Sequence, residues 1–192
     1  MKKKFLILLV ALIIALCPII ANADTQTLNL NDTLIAEDIT PEYEDYKETE
    51  EQVTIYLFRG AGCTHCYDFL TYLNSITKEY GNMFKLRSFE VYNNQDNAAL
   101  KDKVAKFFKE KADGVPYIII GENTFYGFSD DMKEKVLKSI KNEYNAEVKY
   151  DIFDEMDKNE TKKNPNDALF LLIPITAIII IVIIVRSAKK ED

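Results

Sequence analysis

A dithiol motif, Cys63-Thr64-His65-Cys66, stands between a segment typical of a β-strand and a segment typical of a helix. Residues 53–58 before it are apolar and rich in β-branched and aromatic side chains, and residues 59–62 follow as a turn. After it, apolar side chains recur at helical spacing: Phe69, Tyr72, Leu73, Ile76 and Tyr80. A helix that begins here leaves unpaired backbone N–H groups beside the first sulfur, and these groups favour a thiolate over a thiol. Because the thiolate is the reactive form of cysteine, the motif predicts redox chemistry.

The first 23 residues have the pattern of a secretory signal peptide. Three lysines at positions 2–4 form a charged start, residues 5–20 are apolar, and Ala21-Asn22-Ala23 is a small-residue cleavage site. We expect the mature chain to begin at Asp24, without Cys17. A lipoprotein lipidated on Cys17 is disfavoured because bulky Leu16 precedes that residue.

Residues 168–185 form an uninterrupted apolar run of 18 residues. As a helix, a run of this length spans about 27 Å, close to the thickness of the hydrocarbon core of a membrane. The run has no polar face, which disfavours a helix buried in a soluble core. Arg186, Lys189 and Lys190 follow it and indicate the cytoplasmic side. The sequence therefore predicts a single transmembrane helix with a cytoplasmic tail, residues 186–192, and an extracytoplasmic domain before it.

The charge of the predicted exodomain is strongly negative. The whole chain has 24 basic and 31 acidic residues. Without the three lysines before residue 24, and the three basic and two acidic residues after residue 167, the exodomain has 18 basic and 29 acidic residues, a net charge of −11. Such a surface is soluble and disfavours nucleic acid or anionic lipid as a partner.

Three segments divide the exodomain. Residues 24–52 are acidic with little periodicity, which predicts a flexible or partly ordered lead-in. Residues 145–167 resemble a polar stalk, although Val148, Tyr150, Ile152 and Phe153 could extend the fold. Residues 53–144 remain as the folded domain, long enough for a modest core.

The folded domain has the order β-α-β-α-β-β-α and belongs to the α/β class. Predicted strands cover residues 53–58, 84–92, 117–120 and 124–126, and predicted helices cover residues 63–80 and 96–109, with a last helix starting near Ser129 or Asp131. We expect right-handed crossovers to join the first three strands and the last pair to be antiparallel.

In this order the chain resembles the thioredoxin superfamily over residues 53–144. The resemblance rests on Cys63-x-x-Cys66 after the first strand, Val115-Pro116 opening the third strand, and Gly127 before the last helix. It implies a thioredoxin-like fold, a central mixed sheet flanked by helices. The middle segment is one short helix, which resembles the compact thioredoxin and glutaredoxin layout.

The resemblance also implies roles for the matching residues. Cys63 is the exposed nucleophile, and Cys66 is the buried resolving thiol that closes a Cys63–Cys66 bridge. Pro116 matches the cis-proline of the family, and Val115 offers backbone groups to an extended substrate segment. His65 is the only histidine of the chain. A lone histidine is ordinarily a plain surface residue, but between two cysteines at a helix start it can stabilise the Cys63 thiolate and make the disulfide more oxidising.

The chain departs from the family pattern in three ways. Cys-x-His-Cys is similar to disulfide isomerases and bacterial envelope oxidases, but Thr64 matches none of the common patterns. Leu57 stands where thioredoxins have a buried acid six residues before the first cysteine, and the chain has no tryptophan. Proton transfer at the resolving thiol would then use Glu90 or water.

These observations predict a thiol–disulfide oxidoreductase for cysteine-containing extracytoplasmic client proteins, working by oxidation or isomerisation, without a cofactor, and coupled to a membrane redox partner. A reductase in an extracytoplasmic electron-transfer chain is the alternative within the same class. Another interpretation is a copper-binding assembly chaperone that uses Cys63, His65 and Cys66. A closed zinc site is disfavoured, because it needs four ligands. The last alternative is a redox-inert binding module with a structural bridge.

The predicted location is the cell membrane, with the C-terminal helix in the lipid bilayer. The dilysine at Lys189-Lys190 also fits a retrieval signal of the endoplasmic reticulum membrane, although it serves equally as a flank of the membrane helix. Both compartments are oxidising.

Overall fold

The computed structural model describes residues 27–163 of the chain. The strands are β1 (Thr27–Leu28), β2 (Val53–Arg59), β3 (Phe84–Glu90), β4 (Tyr117–Ile120) and β5 (Asn123–Tyr126). The helices are α1 (Leu30–Ala36), α2 (Thr64–Tyr80), α3 (Gln95–Phe107), α4 (Lys133–Tyr144) and α5 (Ile152–Lys163), and a 3₁₀ turn, Asp130–Met132, precedes α4.

The strands form one mixed sheet in the order β1-β3-β2-β4-β5. Strands β2 and β3 are parallel, with Val53 opposite Phe84, so α2 is the crossover between them, as expected. Strands β4 and β5 form an antiparallel hairpin, as the Gly121-Glu122-Asn123 turn predicts.

The expected direction of the third predicted strand is wrong. Strand β4 runs antiparallel to β2, with Tyr117 opposite Phe58 and Ile120 opposite Ile55. A right-handed crossover would have made the two strands parallel. Residues 108–116, between α3 and β4, are long enough to return the chain to the carboxyl end of β2, and hydrophobic periodicity carries no information about strand direction. The reversal places the start of β4 beside the end of β2, where the dithiol motif follows.

Helices cover both faces of the sheet. One face packs against α1, α2 and α4 through a core that includes Leu57, Phe69, Leu73, Val136 and Ile140, each fully buried. The other face packs against α3 and α5. The side chains of β2 alternate between these two cores because successive residues of a strand point to opposite faces. This mixed α/β architecture fits the thioredoxin-like fold that the sequence predicts.

The segment before β2 is part of the fold and not a flexible lead-in. Strand β1 pairs with β3, which adds a strand to the edge of the sheet. Leu30 and Leu34 of α1 are 0% and 1% exposed in the first core. Asn29 caps α1, because its side chain accepts a hydrogen bond from the backbone N–H of Asp32 at 2.9 Å. The acidic composition of this segment gave no indication that Leu30 and Leu34, one helical turn apart, are buried.

Residues 152–163 also depart from the expected polar stalk, because they form α5. Ile152 and Met156 are buried in the second core, where the ring of Phe153 lies edge-on to that of Tyr56 with centroids 4.8 Å apart. The Tyr56 hydroxyl donates to the Asp151 carboxylate at 2.5 Å. The folded unit therefore extends beyond residue 144, as the apolar residues of this segment had suggested.

Within residues 27–163, no helix is both long enough and apolar enough to cross a membrane. The expected signal peptide, residues 1–23, and the expected membrane helix, residues 168–185, lie outside the described residues.

Candidate active site

Cys63 is the N-cap residue of α2 and has a half-buried side chain. Its φ and ψ of −76° and 114° are extended, and its sulfur accepts a hydrogen bond from the backbone N–H of Cys66 at 3.3 Å. The sulfur thus takes the position that a Ser or Asp oxygen occupies at other helix starts. The sulfur therefore faces the backbone N–H groups and the positive end of α2.

Cys66 lies on the first turn of α2, behind Cys63, and is 1% exposed. Burial is the main reason that the pKa of the Cys66 thiol is raised. The hydrogen bond with Cys63 raises this pKa further, while the backbone N–H of Gly60 opposes the shift. Both cysteines are free thiols, one reachable from solvent and one not. This asymmetry is what a nucleophilic and a resolving thiol require.

The loop before the motif is held by the Glu90 carboxylate. Glu90 accepts hydrogen bonds from the backbone N–H groups of Ala61, Tyr92 and Asn93 at 3.2, 2.8 and 2.9 Å. Although partial burial acts in the opposite direction, these bonds hold the pKa of Glu90 below its ordinary value. A carboxylate stabilised in its charged form is a poor proton acceptor. Glu90 therefore positions the loop and is not suited to the proton transfer suggested for it from the sequence.

Val115 and Pro116 lie beside the dithiol. The peptide bond between them is cis. The Cys63 sulfur lies 3.8 Å from the Val115 carbonyl oxygen, within range of a weak hydrogen bond to sulfur. The Pro116 carbonyl accepts from the backbone N–H of Gly127 at 2.9 Å, which ties the loop to the end of β5. The structure thus brings together Cys63, Cys66, Val115 and Pro116.

His65 stands on the outer side of the motif. Its side chain is 65% exposed, and its Nδ1 lies 3.7 Å from a carboxylate oxygen of Asp68, whose side chain is 51% exposed. A protonated His65 would form an ion pair with Asp68, one helical turn away. Any effect of His65 on the Cys63 sulfur therefore competes with a neighbouring negative charge.

The exposed ring of Tyr92 lies at the edge of the site, which the sequence did not reveal. A Cβ atom on Gly60 would stand 2.2 Å from this ring, so the ring covers the glycine. Burial is the main reason that the pKa of the Tyr92 hydroxyl is raised above its ordinary value. Tyr92 is 62% exposed, so its aromatic ring is open to solvent beside the loop that precedes the motif. Its position just after β3 gave no signal in the sequence that the ring would lie there.

The structure also shows a buried ion pair between Arg59 and Glu37, which the sequence did not predict. Arg59 ends β2, and Glu37 directly follows α1. The Arg59 Nε also donates to the Ser88 hydroxyl at 2.9 Å. A charged residue at the end of an apolar strand signals a buried partner, but nothing in the sequence identifies the partner 22 residues earlier.

No group of three or more His, Cys, Asp or Glu side chains among residues 27–163 is arranged to hold a metal ion. The side chain of His65 points toward Asp68 on the solvent-exposed side of the motif, whereas Cys66 is buried.

A solved structure that matches the chain is the solution structure of an uncharacterized thioredoxin-like protein from Clostridium perfringens. The match has 18% sequence identity and a TM-score of 0.35, and it covers 65% of this chain and 90% of that chain. No family model and no curated protein matches the sequence. The resemblance to thioredoxin-like proteins therefore depends on the motif, the position of Pro116 and the sheet of this chain.

Proposed function

We propose that the protein is a thiol–disulfide oxidoreductase that uses Cys63 and Cys66 as its redox couple. The observation that carries the proposal is the arrangement of the two sulfurs. Cys63 caps α2 beside the carbonyl of Val115, and Cys66 is buried one turn behind it. A reachable sulfur at the start of a helix, followed by a buried thiol whose pKa is raised, supports thiol–disulfide exchange through a mixed disulfide on Cys63.

The proposed direction is oxidation or isomerisation of client proteins. A client thiolate attacks Cys63 of the oxidised protein, the Cys63–Cys66 bond breaks, and Cys66 leaves and takes up a proton. A second client thiolate then attacks the client sulfur of the mixed disulfide, which forms the client disulfide and releases Cys63 as a thiolate. The client loses two electrons and the protein gains them, so a membrane partner must reoxidise the couple.

The client would bind as an extended segment along Val115, between the cis peptide bond and the ring of Tyr92. The carbonyl of Val115 supports this proposal, because it already lies 3.8 Å from the Cys63 sulfur. Main-chain hydrogen bonds to an extended segment tolerate many sequences, which suits an enzyme with several clients.

The location is proposed from the sequence alone, as an extracytoplasmic domain anchored by residues 168–185 in the cell membrane, or in the endoplasmic reticulum. The test is protease treatment of intact cells that express the full chain. Digestion of the domain from outside supports the cell-membrane proposal, and protection until the cells are opened contradicts it.

The chemical proposal is tested by the equilibrium of the dithiol with glutathione. The full chain carrying Cys17→Ser retains only Cys63 and Cys66, since the sequence has three cysteines. We expect a potential near or above that of protein disulfide isomerase, about −180 mV, for an oxidase or isomerase. A value near that of thioredoxin, about −270 mV, would instead assign the protein as a reductase. If both thiols alkylate no faster than free cysteine, the oxidoreductase proposal is wrong.

A further inference from the structure

Residues 111–116 link the end of α3 to the start of β4, and they carry the Val115 carbonyl that lies 3.8 Å from the Cys63 sulfur. These residues form neither a helix nor a strand. The contacts at the two ends of the segment therefore help to decide where Val115 lies relative to Cys63.

Glu110 lies directly before this segment and is placed by the way α3 ends. Lys109 has a φ of 60°, the left-handed conformation that commonly follows a helix. Its backbone N–H donates to the Lys106 carbonyl at 3.1 Å, and the N–H of Glu110 donates to the Ala105 carbonyl at 2.9 Å. These two bonds form a Schellman motif, in which the position of Glu110 frequently holds an apolar side chain that packs on the helix. Here that position holds a carboxylate, which turns toward β4 and β5 instead.

The Glu110 carboxylate joins the linking segment to both strands of the hairpin. Its Oε2 accepts from the Tyr117 hydroxyl at 3.1 Å, and its Oε1 accepts from the Thr124 hydroxyl at 2.7 Å. Because Tyr117 directly follows the segment, its bond to Glu110 connects the two residues that flank residues 111–116. Tyr117 is fully buried, and its ring stacks on that of Tyr126 with centroids 4.8 Å apart. The Tyr117 end of the bond is thus fixed in the sheet.

We propose that Glu110 is a positioning residue for client binding: its carboxylate closes residues 111–116 onto β4 and β5 and so holds the Val115 backbone where an extended client segment meets Cys63. This inference rests on the proposed function and extends it, because it assigns part of client recognition to a residue that acts through the loop and not on the sulfurs. The side chain serves by accepting two hydrogen bonds, so an uncharged amide that still bonds to both hydroxyls should replace it in part.

The proposal separates client binding from the reactivity of the thiol. A loosened loop should weaken the binding of a client backbone at Val115. It should not change Cys63 itself, because Cys63 caps α2 and its sulfur accepts from the N–H of Cys66. A small dithiol without a peptide backbone reaches Cys63 without using Val115, so it reports on the thiol alone.

The test uses the oxidised full chain carrying Cys17→Ser and two reductants in excess: a synthetic extended peptide with two cysteine thiols, and dithiothreitol. In each reaction a thiolate of the reductant attacks Cys63, and Cys66 leaves and takes up a proton. The second thiol of the reductant then loses its proton and attacks the reductant sulfur of the mixed disulfide, which releases Cys63. Two electrons pass from the reductant to the Cys63–Cys66 pair. Acid quenching and alkylation at rising reductant concentration give the limiting rate constant and the half-saturating concentration.

The variants alter the hydrogen bonds of Glu110 in steps. In Glu110→Ala we expect the half-saturating concentration of the peptide to rise about fivefold to tenfold, with the limiting rate constant and the dithiothreitol rate within about twofold of the wild type. Tyr117→Phe keeps the buried ring but removes the hydroxyl that closes the loop, and a rise of about threefold to fivefold is expected. Glu110→Gln can accept from one hydroxyl and donate to the other, so it should lie between the wild type and Glu110→Ala.

Tyr56→Phe is the matched control for Tyr117→Phe. Tyr56 is also buried in the second core and donates its hydroxyl to a carboxylate, that of Asp151 directly before α5, at 2.5 Å. Its loss should leave the half-saturating concentration of the peptide unchanged. If Glu110→Ala does not fold, the comparison of Tyr117→Phe with Tyr56→Phe decides the question, since each variant removes a single hydroxyl.

The outcomes separate this inference from the proposed function. A wild-type chain that oxidises the peptide no faster than the same concentration of glutathione disulfide contradicts the oxidoreductase proposal itself. Normal peptide oxidation with an unchanged half-saturating concentration in the folded Glu110 and Tyr117 variants overturns only the role of Glu110. Equal slowing with the peptide and with dithiothreitol, or an equal effect in Tyr56→Phe, also overturns it, because the hydrogen bonds would then support the fold in general and not the client contact.

Discussion

The sulfur of Cys63 lies 3.8 Å from the carbonyl oxygen of Val115, although the two residues are 52 positions apart in the chain. The contact exists because β4 runs antiparallel to β2 and begins opposite its end, with Tyr117 beside Phe58. A client segment that reached Cys63 would therefore meet the backbone of Val115 at the same time.

The first prediction concerns the separate roles of the two thiols. Cys66→Ser leaves a reachable Cys63 with no thiol to resolve its mixed disulfides, so client adducts should accumulate several-fold on non-reducing gels. Cys63→Ser keeps only buried Cys66, which is 1% exposed, and should trap few clients. The double variant Cys63→Ser/Cys66→Ser keeps Cys17 and measures the adducts that do not depend on the Cys63–Cys66 pair. Equal trapping by both single variants would contradict the assigned roles.

The second prediction is a loss of stability in acid that depends on Glu90. Its pKa is lower in the folded state than in the unfolded chain, because backbone N–H groups hold the carboxylate in spite of partial burial. Its contribution to the free energy of unfolding is therefore complete above the ordinary glutamate pKa and disappears as the pH falls through the lower folded value.

In Glu90→Gln we expect a loss of about 1 kcal/mol at neutral pH, discounted for exposure. We also expect convergence with the wild type in acid, measured by urea unfolding at several pH values. Glu50→Gln is the control, since that side chain is fully exposed. A constant difference at every pH would show that the charge of Glu90 is not what holds the loop.

A third prediction tests whether the N-terminal segment is part of the core. Leu30→Ala removes a side chain that is 0% exposed and should lower the free energy of unfolding by about 2–5 kcal/mol. Ile35→Ala lies on the same helix, but Ile35 is 64% exposed, so its loss should cost about 0.5 kcal/mol or less. Denaturant unfolding measures both. Similar small effects would mean that α1 is not packed as described.

The fourth prediction concerns alkaline pH. Burial raises the pKa values of Tyr46, Tyr56 and Tyr117, and burial together with the charge of Glu110 raises the pKa of Tyr126 to about 12. A raised pKa means that the stabilisation is complete below the ordinary tyrosine pKa and is lost as the pH rises above it. Above about pH 10, each of the buried tyrosines Tyr46, Tyr56 and Tyr117 lowers the free energy of unfolding by up to about 1.4 kcal/mol per pH unit. Tyr126 is 38% exposed, so solvent screening makes its contribution smaller.

We expect the absorbance of tyrosinate to rise in a cooperative step that coincides with the loss of helical circular dichroism. Ionisation of the buried rings near pH 10 with the helices intact would contradict their burial.

The elements of the domain were predicted well where local pattern decides them. The predicted helix over residues 63–80 is observed as Thr64–Tyr80 with Cys63 as its cap, and the predicted strand over residues 117–120 is observed with the same bounds. Helical periodicity and a short apolar run after a proline are local signals, and the core selects the same residues.

The predictions that failed depend on distant partners. The acidic composition of residues 24–52 predicted a flexible or partly ordered lead-in, whereas the structure places Leu30 and Leu34 in the core. The direction of β4 depends on where the chain returns after α3, which no pattern within the strand records. Arg59 was placed in a turn, and nothing in the sequence indicated its buried pairing with Glu37.

The sequence by itself determined the dithiol, its place at the start of a helix and the strand before it, because a helix start and its first-turn N–H groups are fixed by neighbouring residues. Only the tertiary structure decided which distant groups lie around the motif: the Val115 carbonyl beside the Cys63 sulfur and the ring of Tyr92 over Gly60. The physical reason is that strand order, strand direction and buried ion pairing are settled by the packing of the whole chain, where each charge and apolar side chain must find its partner together with all the others.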